Sequence, residues 1–383
     1  MVDIKEEFQK RFKKKPDHIF FSPGRINLIG EHIDYNGGRV MPCAISLGIF
    51  LAVSKNTDKK FRLQCLNFPE TAELHLQRSY SKTGREWFNY PLGVIDYLIR
   101  EECALSGLDM LFYGNLPIGA GLSSSASIEV LTAFTLNELF QLSLSLVDIA
   151  VLSKKVENEF IGMNCGIMDQ FAVTFGKKDR AILLNCDTLE YELLPFKING
   201  HVLAIINTNK STKLTDSKYN ERFAECGKVL KELKKEINAH NLCDISMEQF
   251  QSHKSLIKDP VLEKRAAHVI SENFRVNEAA KVLKQGDLGK FGQLMYDSHK
   301  SLKELYEVSG KELDTIVEFC KTFGDCIGAR MTGAGFGGCA IALIKKESLQ
   351  DFSKALVDYY KNKIGYEPDV FASEIGDGVR EVF

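Results

Sequence analysis

The stretch that most constrains this chain is Leu116–Ser127, LPIGAGLSSSAS. Gly119, Ala120 and Gly121 make a loop with almost no side-chain bulk, and Leu122 leads into Ser123, Ser124 and Ser125. Behind them Ile128, Val130, Leu131 and Phe134 recur at helical spacing, which predicts a helix over 123–140. In front, Leu108–Tyr113 carries one charge, Asp109, in an apolar run and reads as a buried strand. A strand, a small-residue loop and a helix start leave unpaired backbone N–H groups converging on one point, with the positive end of the helix dipole behind them. An anion, most usefully a phosphate, suits that point. The alternative is a plain serine cap after a tight turn. Serines in a row weaken that alternative, because one cap needs one hydroxyl. No Gly-Lys-Ser/Thr follows, no strand with a Val-Ala-Ile-Lys lysine follows, and the glycine spacing misses the dinucleotide fingerprint. A phosphate cradle of another lineage remains.

At 383 residues the chain is long for one core, so two domains are expected, 1–195 and 196–383, with the last strand free to return to the first. A net charge of −2 offers nothing to nucleic acid or an anionic membrane. The ten cysteines form no C-x-x-C and several sit in apolar runs, as Cys339 does in GGCAIALI. They read as buried hydrophobes of a reducing compartment, not as disulfides or zinc ligands. The opening MVDIKEEFQKRFKKK alternates charges without an apolar segment, and no apolar run approaches the length of about eighteen residues that a span needs. Neither a signal peptide nor a membrane span is expected, and the expected location is cytoplasmic.

Periodicity predicts helices over 4–13, 91–101 and 147–161 and strands over 40–54, 61–66 and 71–77, with three more strands in 180–207. Beyond them come helices over 216–238, 260–285, 288–306, 310–322 and 347–362, then a strand at 369–373. The segment 239–259 reads as irregular. Ser22–Gly38 sets Arg25, Glu31, His32 and Asp34 among Gly24, Gly30, Gly37 and Gly38. It is either a solvated hairpin turning on Asn36-Gly37 or a cluster of acceptors and a donor of the kind sugar hydroxyls require. Glu157 lies one step off the apolar stripe of its helix, beside Lys154 and Lys155, so a solvated and a buried role are both open. Asp169, between Met168 and Phe171, either caps the following helix or is buried against a cation, for which Arg25 is a candidate. Gly328–Cys339 is a third glycine-rich segment, read either as a hairpin holding two strands close or as part of a site.

Together these motifs resemble the galactokinase family of the GHMP sugar and metabolite kinases, over nearly the whole chain. PGRINLIGEHIDYNGG resembles the galactokinase signature, LPIGAGLSSSAS the ATP-phosphate loop, and RMTGAGFGGCAIAL the third motif. GIMDQF, DSKYNER and WFNYPLG fit as well. The resemblance implies an α+β fold of two mixed α/β domains, ribosomal-protein-S5-like then ferredoxin-like, with the active site in the cleft. It implies ATP and Mg²⁺, with galactose phosphorylated at its anomeric hydroxyl. Asp169 matches the catalytic base and Arg25 the cation beside it. Glu31, His32, Ile33 and Asp34 match the sugar-binding segment, with Gly166 and Tyr219 as further contacts. Ile33 stands where threonine is usual. Gly119–Ser125 match the phosphate loop, Ser125 and Glu157 the magnesium ligands, and Gly335 with its neighbours a support for that loop. Cys65 stands where many members have a serine near the nucleotide. The alternatives are a kinase for a related sugar such as N-acetylgalactosamine, or a non-enzymatic galactose sensor. Such sensors lack a Ser-Ala pair in the phosphate loop that is complete here. No obligate protein partner is expected.

Overall fold

The computed structural model describes residues 2–117, 121–210 and 215–383, with side chains from 217 onward in the last stretch. Gly119 and Ala120 lie outside the described residues. Helix α1 (Ile4–Phe12) starts where Asp3 accepts from the Lys5 and Glu6 amides at 2.9 and 3.3 Å. Strands β1 (His18–Asn27), β2 (Arg39–Val40), β3 (Pro42–Lys55), β4 (Lys60–Cys65) and β5 (Ala72–His75) follow, then α2 (Asn89–Arg100) and β6 (Leu108–Gly114). The main sheet runs β1–β3–β6–β4–β5 and is antiparallel apart from β4 beside β6. α1 buries Ile4 and Phe8 against Ile19, Ala52 and Leu111 of this sheet.

Helix α3 (Ser124–Phe140) is interior: Val130, Leu131, Ala133 and Leu136 have no exposed surface, and neither do Glu129 and Thr132. After it come α4 (Leu146–Lys155), α5 (Met168–Phe175), β7 (Arg180–Asn185) and β8 (Tyr191–Pro195); β2, β7 and β8 form a small sheet. The chain then changes sheet. β9 (His201–Asn207) leads to α6 (Thr215–Leu233), α7 (Met247–His253), α8 (Pro260–Gln285), α9 (Leu288–Ser301) and α10 (Gly310–Thr322). β10 (Cys326–Thr332), β11 (Cys339–Lys345), α11 (Leu349–Ile364), β12 (Asp369–Ser373) and β13 (Arg380–Glu381) complete it. The second sheet is antiparallel in the order β10–β11–β9–β12. β13 pairs with β1 of the main sheet, Phe20 opposite Glu381. Two mixed α/β units thus face a common cleft, the α+β arrangement expected.

Helix α8 has the expected bounds because its signals are local: Asp259 caps it, Pro260 opens it, and Gly286 at φ +74° ends it. The expected helices over 147–161 and 288–306 do not stay α-helical. Val156–Ile161 and Leu302–Tyr306 widen into π-helical turns, which rotate the residues there relative to an α-helical register. The segment 239–259, expected to be irregular, contains α7, started by a capping box of Ser246 and Gln249.

Candidate active site

Strand β1 delivers the first site residue. Its register against β3 slips between Pro23 and Arg25, a local bulge at Gly24. Only glycine fits there, since a Cβ would stand 2.6 Å from Leu116 and 2.9 Å from the Leu122 carbonyl. The Arg25 amide therefore reaches that carbonyl at 3.2 Å and stitches the segment before α3 to β1. The Arg25 guanidinium grips Asp169, in the first turn of α5, with Nε to Oδ1 at 2.7 Å and Nη2 to Oδ2 at 2.6 Å. Its Nη1 donates to the Gly121 carbonyl at 2.8 Å, and Ser123 Oγ donates to Asp169 Oδ2 at 2.6 Å. A bidentate guanidinium–carboxylate pair of this kind sets orientation as well as charge. Arg25 is buried, while the Asp169 side chain keeps 29% of its surface open. That open surface faces a cavity of about 340 Å³ whose walls include Glu31, His32, Asp34, Glu157, Tyr219 and Gly333.

The loop after β1 supplies one wall. Asp34 opens a short 3₁₀ turn, and its carboxylate occupies the space a side chain at Gly166 would take, with a Cβ there only 1.9 Å from Oδ2. Burial and the nearby charge of Asp169 push the Asp34 carboxyl up to about 7. Glu31 points away from solvent: it pairs with Arg330 and accepts from Asn27 Nδ2 at 2.8 Å and the Gly333 amide at 2.9 Å. His32 sits at φ +64°. Its Nε2 is 3.1 Å from the Ala334 carbonyl, which can only accept, so Nε2 carries the proton and Nδ1 accepts from Tyr35 Oη at 2.9 Å. Burial lowers its pKa to about 3, so the ring is neutral. The Tyr35 hydroxyl in turn is 2.9 Å from Tyr306 Oη, and Cys226 lies 3.1 Å beyond. Ile33 is fully buried and does not reach the cavity wall; its carbonyl accepts from the Asn36 and Gly38 amides. Leu122 is buried likewise and contributes its carbonyl.

Glu157 stands on the π-helical turn and is buried, which sets aside a solvated face. Gln170 Nε2 donates to its Oε2 at 2.5 Å, the Cys165 thiol lies 3.6 Å from the same oxygen, and Ser125 lines the same cavity. Burial raises the Glu157 carboxyl to about 7, and among the described residues no ion pair offsets its charge. One hydroxyl and one carboxylate are hard oxygen donors that suit Mg²⁺, which keeps several waters and takes phosphate oxygens. In the third motif, Gly333 at φ +79° approaches the segment before α3: a Cβ would lie 3.3 Å from the Gly121 carbonyl. Gly335 at φ +82° instead backs onto the Val308 carbonyl.

A second, apolar cavity of about 180 Å³ meets the first at Ser124 and Ser125. Cys65, Phe68, Trp87, Tyr90, Phe112 and Ile128 line it. The resemblance set Cys65 near the nucleotide and included WFNYPLG, and both contribute to this wall; Phe68, Phe112 and Ile128 were not singled out for it. Sequence reasoning also passed over Arg330, Tyr306, Glu272 and His268. Glu272 accepts from the Gly30 amide at 3.0 Å and from Ser298 Oγ at 2.5 Å, and His268 Nε2 is 3.3 Å from the Glu31 carbonyl. Glu272 and His268 on otherwise apolar faces of α8, and Arg330 within the apolar strand β10, were the available signal.

The sequence pattern of the galactokinase galactose-binding signature matches residues 6–55. Those of the GHMP kinase N-terminal and C-terminal domains match 89–177 and 279–362. The chain is 49% identical over 381 residues to a galactokinase of Clostridium tetani, covering 99% of this chain and 97% of that one. It is 48% identical over 383 residues to a galactokinase of Enterococcus faecalis, covering 99% of each. The crystal structure of Lactococcus lactis galactokinase complexed with galactose is similar with a TM-score of 0.95 and 43% identity, over 98% of both chains. Mevalonate kinase of Methanococcus jannaschii shares the fold at a TM-score of 0.68 and 22% identity, over 94% of this chain and 99% of that one. With near-complete coverage at almost half identity, and a cleft built from the same motifs, this chain belongs to the galactokinase family.

Proposed function

We propose that the cleft transfers the terminal phosphoryl group of ATP to the anomeric hydroxyl of galactose, with Asp169 as proton acceptor and Arg25 as its charge partner. Phosphoryl transfer needs positioning and charge neutralisation more than covalent help from protein. The Arg25–Asp169 pair, facing the cavity beside the start of α3, is the observation that carries this reading. Arg25 orients the carboxylate through its two hydrogen bonds. The helix N-terminus and Ser124–Ser125 meet the triphosphate, and the apolar cavity beside them accepts the base. Asp34, Gly166 and Tyr219 line the sugar side.

Ser125 and Glu157 would hold Mg²⁺, which supplies neutralisation of phosphate charge when bound. Glu31 and His32 line the cavity with polar atoms already engaged by Arg330, Gly333, Tyr35 and Ala334, so they shape the sugar wall and orient its neighbours. A cytoplasmic setting is supported by ten cysteines that form no disulfide.

A complete Ser123–Ser127 segment leading into α3 favours the enzyme over a galactose sensor. The test is coupled ADP release with galactose, glucose and N-acetylgalactosamine. Galactose-dependent release well above glucose is expected; equal use of both sugars, or no release, overturns the reading.

A further inference from the structure

Ser123 is the residue immediately before α3, the position where a serine hydroxyl ordinarily caps the helix. Here it does not. Its backbone is left-handed, φ +60° and ψ +48°, and its side chain makes no capping bond. The hydroxyl goes instead to Asp169 Oδ2 at 2.6 Å, although the two residues are 46 apart in sequence. A non-glycine residue in the left-handed region costs free energy and persists only where surrounding structure demands it. Ser123 is 7% exposed, so the demand comes from packing around the site.

The consequence lies in the lone pairs of Asp169. Each carboxylate oxygen accepts about two hydrogen bonds. Oδ2 receives Arg25 Nη2 and Ser123 Oγ and is full. Among the described residues Oδ1 receives Arg25 Nε alone, which leaves one of its lone pairs for the substrate. Arg25 by itself treats the two oxygens alike; Ser123 makes them different.

We propose that Ser123 is a positioning residue that selects Oδ1 of Asp169 as the proton acceptor and locks the carboxylate to the phosphate loop. This rests on the reading of Asp169 as the base. In the step, the sugar hydroxyl proton passes to Oδ1 and the hydroxyl oxygen bonds the terminal phosphorus of ATP. The bond from that phosphorus to the β–γ bridging oxygen breaks, and its electron pair leaves with ADP. A Ser123 hydroxyl on Oδ2 keeps the carboxylate from rotating as Oδ1 takes the proton. Because Ser123 and Gly121 lie two residues apart before α3, and the Gly121 carbonyl accepts from Arg25, the base's serine and its arginine are both tied to the segment proposed to meet the nucleotide.

Ser123→Gly separates this role from a merely structural one. Glycine adopts φ +60° without strain and no cap is lost, which offsets part of the lost hydrogen bond, so the thermal midpoint should stay within a few degrees of the parent. Turnover should nevertheless fall by about 10-fold or more, the order expected on losing one hydrogen bond to a charged group, with the galactose KM within a few-fold. The decisive comparison is a cycle of Ser123→Gly, Asp169→Asn and the double variant. With the base removed there is nothing left to select, so Ser123→Gly should change the residual rate of Asp169→Asn by less than about 3-fold. An equal loss in both backgrounds, or parental turnover in Ser123→Gly, overturns the proposal while leaving Asp169 as base. Near-parental turnover in Asp169→Asn overturns the base reading itself, and the proposal with it.

Discussion

Glu31 on the loop after β1 and Arg330 on β10 meet in an ion pair that is 1% and 0% exposed, joining that loop of one unit to the third glycine motif of the other. Glu31 also accepts the Gly333 amide, and His32 beside it donates to the Ala334 carbonyl. The two units are therefore fastened to each other at the wall of the site, and a change in one reaches the other through named bonds.

Removing Arg330 leaves a buried carboxylate without its cation. Arg330→Met should destabilise the protein by about 3–5 kcal/mol, the range for breaking a buried pair from one side. Urea unfolding checks it. A midpoint within error of the parent would mean that Glu31 is neutral or differently paired.

Asp169→Asn preserves shape but removes the proton acceptor. Turnover should fall by roughly 10²-fold or more, with galactose binding, measured by calorimetry, largely retained. Parental turnover would reduce Asp169 to an anchor for Arg25.

Glu157→Gln removes a charge that burial already disfavours. The magnesium concentration for half-maximal rate should rise, while galactose affinity changes little. Direct Mn²⁺ titration without substrate should show the same weakening. An unchanged titration places the metal elsewhere.

Asp34 carries both a specificity and a pH prediction. Asp34→Ala should raise the galactose KM strongly and leave the ATP KM within a few-fold, since unpaired polar groups cost about 1–3 kcal/mol each. Loss confined to ATP contradicts the sugar-side placement. In the ligand-free fold its carboxyl is raised to about 7, whereas an unfolded aspartate titrates near 3.9. Between those values the folded state holds the proton and the unfolded state does not. Its contribution to stability is therefore present in full below about 4 and is lost as pH rises through about 7. Asp34→Asn should flatten the fall in urea midpoint from pH 5 to pH 8. An identical slope in both proteins would show that Asp34 ionises normally.

Gly166→Ala tests the same wall by volume. The added methyl would stand 1.9 Å from Asp34 Oδ2, so Asp34 must move and the galactose KM should rise. Parental KM would show that the loop yields without cost.

The sequence by itself determined the local parts. The apolar periodicity of 123–140 and the caps of α8 state how the backbone runs, because those preferences act over a few neighbouring residues. The density of glycines and charges also marked three segments as a site, and the resemblance they carry named the family. Which charges meet was decided by the tertiary structure. Arg25 and Asp169 are 144 residues apart, and nothing near either one distinguishes a base from a helix cap. Glu157 was open between water and burial until a π-helical turn placed it inward, a change of register that α-helical periodicity cannot contain. Ser123 reads as a cap in any local analysis, and only the approach of α5 gives its hydroxyl a stronger partner. Ile33 stands within the sugar segment yet packs into the core, because side-chain direction in a tight loop follows from the neighbours that close over it. Long-range pairing depends on sheet register and on the desolvation of groups brought together from distant positions, and both are properties of the folded chain alone.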